Sequence, residues 1–192
     1  MSGAGNSLIV REASFLSRKG DGAFEHVTQE EVRRLVAAAP TEKTRLLIKT
    51  LWATGARISE VLELTAKDLD ANHFTLNIHR KKRREEFLQD LPIPSDLAGE
   101  LRLFIRTARR RGRIFVGDRT SCFRTIQRLG RKVLNRDISP HYFRHGKAYA
   151  LVKKGVHPLI VSRALGHANL SSALAYYHPT QADLRRAMEE TI

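Results

Sequence analysis

His141, Arg144 and His145 occur at i, i+3 and i+4, so a helix carries all three on one face. An arginine fork clamps a phosphate through two parallel hydrogen bonds, and an adjacent imidazole exchanges protons near neutral pH. A metal reading takes His141 and His145 as ligands. Against it, Tyr142 stands where an H-E-x-x-H site needs its glutamate, and no third ligand is evident. The bland alternative is a polar helix face. Arg57 directly follows an apolar segment in Ala53-Thr54-Gly55-Ala56-Arg57-Ile58-Ser59-Glu60. A charge in that place either pairs with an acid, Glu60 or Glu63 here, or holds an anion. Tyr176 stands nine residues after His167 and is either a nucleophile or an amphipathic packing residue. The chain has no G-x-S-x-G, no P-loop and no G-x-G-x-x-G, so common hydrolase and nucleotide-binding signatures are missing.

These residues need elements to position them, and the hydrophobic pattern supplies a mainly helical set. Thr28 with Glu31 fits a capping box, followed by Val32, Leu35, Val36 and Ala39 at helical spacing and a stop at Pro40. Thr41 opens a more apolar helix through Leu46, Leu47, Ile48, Leu51 and Trp52, closed by Gly55. A short helix carries Ile58, Val61, Leu62 and Leu64. The period then changes to two. Phe74, Leu76 and Ile78 alternate with polar residues, 87–93 partly does so, and Arg80-Lys81-Lys82-Arg83-Arg84 lies between. This pattern predicts an antiparallel hairpin with a basic turn. Beyond Pro92 and Pro94 the chain is helical again. Leu101, Phe104, Ile105 and Ala108 share one face, with Arg102, Arg106, Arg109 and Arg110 on the others. Phe123, Ile126, Leu129 and Val133 form the next apolar face, opposed by Arg124, Arg128 and Arg131. Ser139 and Pro140 open the helix that carries the His-Arg cluster. Pro158 to Leu165 is a short helix ended by Gly166, and Ser171 or Ser172 caps another through Tyr177. The expected fold class is α+β, mainly α with a small antiparallel sheet.

Composition bounds the function. The 192 residues are enough for one domain with a sizeable core at 42% hydrophobic content. No apolar run approaches the roughly 20 residues of a membrane span, no signal peptide is visible at the start, and the single Cys122 excludes an internal disulfide framework. The expectation is a soluble cytoplasmic protein with no membrane partner. The formal charge of +14 is uneven. Residues 1–79 balance 10 basic against 10 acidic side chains, whereas 80–136 carry 17 basic against 6 acidic, or +11. A one-sign field of this size repels itself and attracts a polyanion, which points to nucleic acid. Arg80, Arg83, Arg84, Arg106, Arg110, Arg124, Arg128 and Arg131 are the expected DNA-binding side chains.

Three segments together carry a resemblance. Thr54-Gly55-Ala56-Arg57-Ile58-Ser59-Glu60-Val61-Leu62-Glu63-Leu64 resembles the first signature of the tyrosine recombinase (phage integrase) family. Pro140-His141-Tyr142-Phe143-Arg144-His145 resembles its H-x-x-R-H signature, and Leu165-Gly166-His167 through Tyr176 resembles its third. The order and spacing match over roughly residues 27–185. The resemblance implies the catalytic-domain fold of that family and site-specific recombination of double-stranded DNA through a 3′-phosphotyrosine intermediate. On that template Tyr176 is the nucleophile, Arg57 and Arg144 hold the non-bridging oxygens, His141 is the general base or positions the tyrosine, and His167 hydrogen-bonds the phosphate or braces the site. A hairpin lysine, Lys82 in preference to Lys81, protonates the leaving 5′-oxygen. The hairpin departs from the family's more usual glycine-containing turn, which leaves that lysine open. No metal, ATP or other cofactor is implied.

The resemblance also implies a homo-tetramer on paired sites, association with the nucleoid and an accessory DNA-bending protein as a further partner. It divides the chain into an arm or linker over 1–26, a catalytic domain over 27–180 and a C-terminal helix over 181–192 that packs in cis or docks on a neighbouring protomer. Family members usually carry a further N-terminal domain, so the chain reads as a minimal single-domain member or as a fragment. A type IB topoisomerase-like nicking-closing enzyme and a non-catalytic DNA-binding protein on the same fold are the competing readings.

Overall fold

The computed structural model describes residues 25–82, 85–109, 112–167 and 169–177, together with Gln181, Arg185, Met188 and Glu189, and for residues 81, 82, 85 and 86 the backbone alone. The expected arm over 1–26, apart from its last two residues, and most of the expected C-terminal helix lie outside the described residues.

Helix α1 (Gln29–Ala37) starts where the capping box predicts. Glu31 N–H donates to Thr28 Oγ1 at 3.2 Å, and Thr28 N–H donates to the Glu31 carboxylate at 2.8 Å. Helix α2 (Glu42–Thr54) is capped by Thr41 and closed by Gly55 in the left-handed region at φ 59°. Helix α3 (Ile58–Glu63) follows at once, and a 3-10 turn (Ala66–Asp68) leads into the sheet. The sheet is antiparallel with order β1 (Leu69–Asp70), β2 (Thr75–Lys82), β3 (Glu85–Pro92). The two-residue β1 has no period of its own and is absent from the sequence expectation. Helices α4 (Ser95–Thr107), α5 (Arg119–Leu134), α6 (Pro140–Lys153), α7 (Pro158–Leu165) and α8 (Ser171–Leu174) complete the fold. Leu170 rather than a serine occupies the cap position of α8.

The structure corrects two further expectations. The first three residues of the basic run are strand, not turn: Arg80, Lys81 and Lys82 pair in register with Phe87, Glu86 and Glu85. In α5 the buried face is Cys122, Ile126 and Leu129, while Phe123 is 37% exposed. On a helix of 3.6 residues per turn, the position four before Ile126 lies about 40° from it and the position three before about 60°, so Cys122 follows the stripe better.

Two apolar clusters result. The larger joins α1–α5 and the sheet through residues such as Leu35, Leu46, Ile48, Leu51, Leu76, Ile78, Leu101 and Phe115, with Phe143 from α6. The smaller comprises Ala148, Val161, Leu165, Ala173 and Tyr176. Tyr176 therefore belongs to a satellite core built by α6, α7 and α8. Among the described residues no helix is long and apolar enough to cross a membrane.

Candidate active site

Four segments bring the site together. The left-handed Gly55 turns the chain so that Arg57 begins α3, and a Cβ at Gly55 would lie 2.4 Å from Leu165 Cδ2. Glycine thus allows α2 to end against α7, where any side chain would collide. Arg144 rises from the first turns of α6 and donates from Nη1 to the Gly55 carbonyl at 2.9 Å. It is 6% exposed. Burial, then Arg57 and Arg80, push its pKa down to about 10, so it remains charged at neutral pH.

Arg57 is half-buried and donates from Nη1 to Glu60 Oε1 at 3.1 Å, while its backbone N–H meets Glu60 Oε2 at 2.8 Å. Of the two acids the sequence offers, Glu60 is the partner. The same carboxylate also accepts from Arg80. Arg80 is 1% exposed, which corrects its expected place among surface DNA contacts. The alternation that buries Leu76 and Ile78 continues to Arg80 and turns it inward. Arg57, Arg80 and Arg144 influence one another electrostatically around one buried carboxylate. Such a surplus of positive charge in a desolvated site favours an anion of phosphate or carboxylate type.

The phenol lies beside this charge. Tyr176 is 5% exposed, and its Oη forms a 2.6 Å hydrogen bond with His145 Nδ1. Tyr149 meets its ring edge-on at a centroid distance of 5.2 Å, and His167 lies parallel to it at 6.3 Å. Burial pushes the Tyr176 phenol up to about 12, with Arg144 opposing the rise. His145 and His167 are both pushed down to about 3, chiefly by burial. His141, Arg144 and His26 add to the effect at His145, and Arg144, Arg57, His145 and Arg80 at His167. Both imidazoles are therefore neutral at pH 7, and the phenol keeps its proton.

His145 is the residue that the sequence reading left without a role. Its signal was its position one turn beyond His141 on the same face, and Tyr149 continues that row at i+4. His141 is partly buried one turn earlier on α6. Tyr177 faces elsewhere, with its hydroxyl donating to the Val156 carbonyl. Lys81 and Lys82 close β2 at the far end of the hairpin. Arg106, Arg124, Arg128 and Arg131 are exposed on α4 and α5, and Arg131 is paired with Asp137. Arg83, Arg84 and Arg110 lie outside the described residues. No group of three or more His, Cys, Asp or Glu side chains able to hold a metal occurs among the described residues.

Residues 25–183 match the phage integrase family. The tyrosine recombinase XerA of Pyrococcus furiosus is 28% identical over 176 residues, covering 85% of this chain and 60% of that protein. A probable integrase/recombinase protein of Methanocaldococcus jannaschii is 34% identical over 149 residues, covering 69% and 44%. The chain thus spans about 60% of the length of the XerA relative. In structure, it superposes on the XerH site-specific recombinase bound to its difH substrate with TM-score 0.73 at 22% identity, covering 85% of this chain and 53% of that one. It also superposes on the catalytic domain of bacteriophage HP1 integrase with TM-score 0.66 at 21% identity, covering 85% and 93%.

Proposed function

The chain belongs to the phage integrase family, and from that premise we propose that it cleaves and rejoins double-stranded DNA through a 3′-phosphotyrosine on Tyr176. The observation that carries the proposal is a buried phenol beside Arg144, which in turn feels Arg57 and Arg80, two arginines that share one carboxylate. Arg57 and Arg144 hold the non-bridging oxygens and stabilise the charge that grows on the pentacoordinate phosphate. Tyr176 Oη attacks phosphorus, the bond to the 5′-oxygen breaks, and the phosphate stays esterified to the enzyme, so the return step needs no outside energy. A partner strand's 5′-hydroxyl reverses the reaction.

The histidines divide the proton work. A base held near pKa 3 removes a phenol proton poorly, so His145 orients the hydroxyl as a hydrogen-bond acceptor, and His141 is the general base. His167 braces the phosphate beside the arginines. The leaving 5′-oxygen takes its proton from Lys82. The residue types present supply the charge for the reaction without a metal. Recombination requires two cleaved sites together, so four copies assemble on paired sites within the nucleoid, with an accessory DNA-bending protein aiding the synapse.

A nicked duplex that traps the cleaved state tests this. Wild-type chain forms a covalent protein–DNA adduct, Tyr176→Phe forms none, and Tyr177→Phe retains it. An undiminished adduct in Tyr176→Phe would place the nucleophile elsewhere. DNA binding with no adduct on any substrate would leave a binding protein on this fold.

A further inference from the structure

Arg80 is a buried arginine that the reaction scheme above does not use. Taking a guanidinium out of water is costly, and an ion pair seldom recovers the whole of that cost. Its partners lie on three separate segments. It donates from Nη1 to Glu60 on α3, from Nε to Gln89 Oε1 on β3 at 2.9 Å, and from Nη2 to the Ala164 carbonyl on α7 at 3.2 Å. Gln89 in turn donates to the Arg163 carbonyl. Carbonyls in the last turn of a helix lack intrahelical partners, and a cation there is favourable. Arg80 and Gln89 thus reach from the hairpin to the end of α7, one turn before His167.

Gly166 fits the same arrangement. It closes α7 at φ 63°, and a Cβ there would lie 2.8 Å from Arg80 Nε. The glycine both allows the left-handed turn and leaves the space through which the guanidinium passes. The carboxylate that receives Arg80 is the one that receives Arg57.

Resting on the recombinase reading, we propose that Arg80 is a positioning residue that sets Arg57, through Glu60, and His167, through the end of α7, in one fixed relation to the hairpin. It does not touch DNA. The sequence pattern alone would have placed it on the DNA surface, so the two roles are directly opposed.

Arg80→Met and Arg80→Lys separate them. In single-turnover cleavage of the nicked duplex at saturating protein, Arg80→Met is expected to be about 10–100-fold slower, the scale of a misplaced catalytic group. Arg80→Lys, which keeps the charge but not the fork, is expected to recover part of the rate. DNA affinity and its dependence on salt are expected to match wild type. A normal cleavage rate would overturn the proposal. So would a loss of affinity with a salt slope lowered by about one, the mark of a direct phosphate contact. Hydrogen exchange gives a readout free of activity. The Gly166 and His167 amides bond to Arg163 and Ser162 carbonyls and are expected to exchange about tenfold faster in either variant, whereas unchanged exchange would also overturn the proposal. If the wild type forms no adduct, the recombinase reading fails and exchange still decides Arg80. If Arg80→Met does not fold, Arg80→Lys carries both measurements, and a wild-type rate with wild-type exchange in it overturns the role.

Discussion

At the scale of the residue, the site is governed by desolvation. Tyr176 sits at about 12 and the two imidazoles near it at about 3, each moved away from its charged form by burial. The same shifts make stability depend on pH. In the unfolded chain a histidine titrates near 6.5, so between about pH 6.5 and 3 the unfolded state binds more protons than the folded one. Stability is then fully present above pH 6.5 and is lost as pH falls toward 3. Calorimetry over that range is expected to show a falling melting temperature, with a shallower slope in His167→Asn, which lacks one of the two groups. The lysine assignment is tested at this scale too. Lys82→Ala is expected to slow cleavage strongly and to regain it when sulfur replaces the leaving 5′-oxygen, because a thiolate leaves without protonation. Lys81→Ala is expected to do neither, as followed by adduct formation on both substrates.

At the scale of the element, strand parity and helix ends matter most. Reading Arg80 to Arg84 as a turn hid the fact that β2 continues through Lys82. Once the strand continues, its period of two puts Arg80 on the face of Leu76 and Ile78 whatever its charge. Helix ends behave the same way. Gly55 closes α2 and lets it meet α7. Gly55→Ala combines a left-handed alanine, costing about 1–2 kcal/mol, with a Cβ 2.4 Å from Leu165. Urea unfolding of this variant is expected to show an unfolding free energy lower by at least that amount, seen as a lower midpoint at unchanged slope, and adduct formation is expected to fall with it, since Arg57 and the Arg144 acceptor both follow from that turn.

At the scale of the whole molecule, the charge of 80–136 is divided by burial into two uses. Arg80 is internal, whereas Arg106, Arg124 and Arg128 stand in solvent. DNA affinity is expected to fall linearly on a log–log plot against salt. Arg124→Gln and Arg128→Gln are each expected to lower the slope by about one, and Arg131→Gln by less because Asp137 already compensates it. Fluorescence titrations from low to moderate salt measure this, and a slope unchanged in Arg124→Gln and Arg128→Gln would remove α5 from the interface.

Much of this protein was legible in its sequence because much of it is local. The Thr28–Glu31 capping box, the closure of α2 at Gly55, the proline at the start of α6 and the change of period at Phe74 all act within a few residues, and each element formed where its own chain asked. The order and spacing of Arg57, the His141–Arg144 pair, His167 and Tyr176 likewise pointed to the family that residues 25–183 match. What the tertiary structure decided is non-local. His145 bonds the tyrosine because α6 and the segment after α8 are packed face to face. Glu60 serves two arginines because α3 and β2 meet. Arg80 is interior because α7 covers the face of the strand on which it lies. The sequence states which groups exist and how they are spaced along the chain. Only packing decides which of them lose water together, and in this site the loss of water is what moves Arg144, His145, His167 and Tyr176 away from their charged forms.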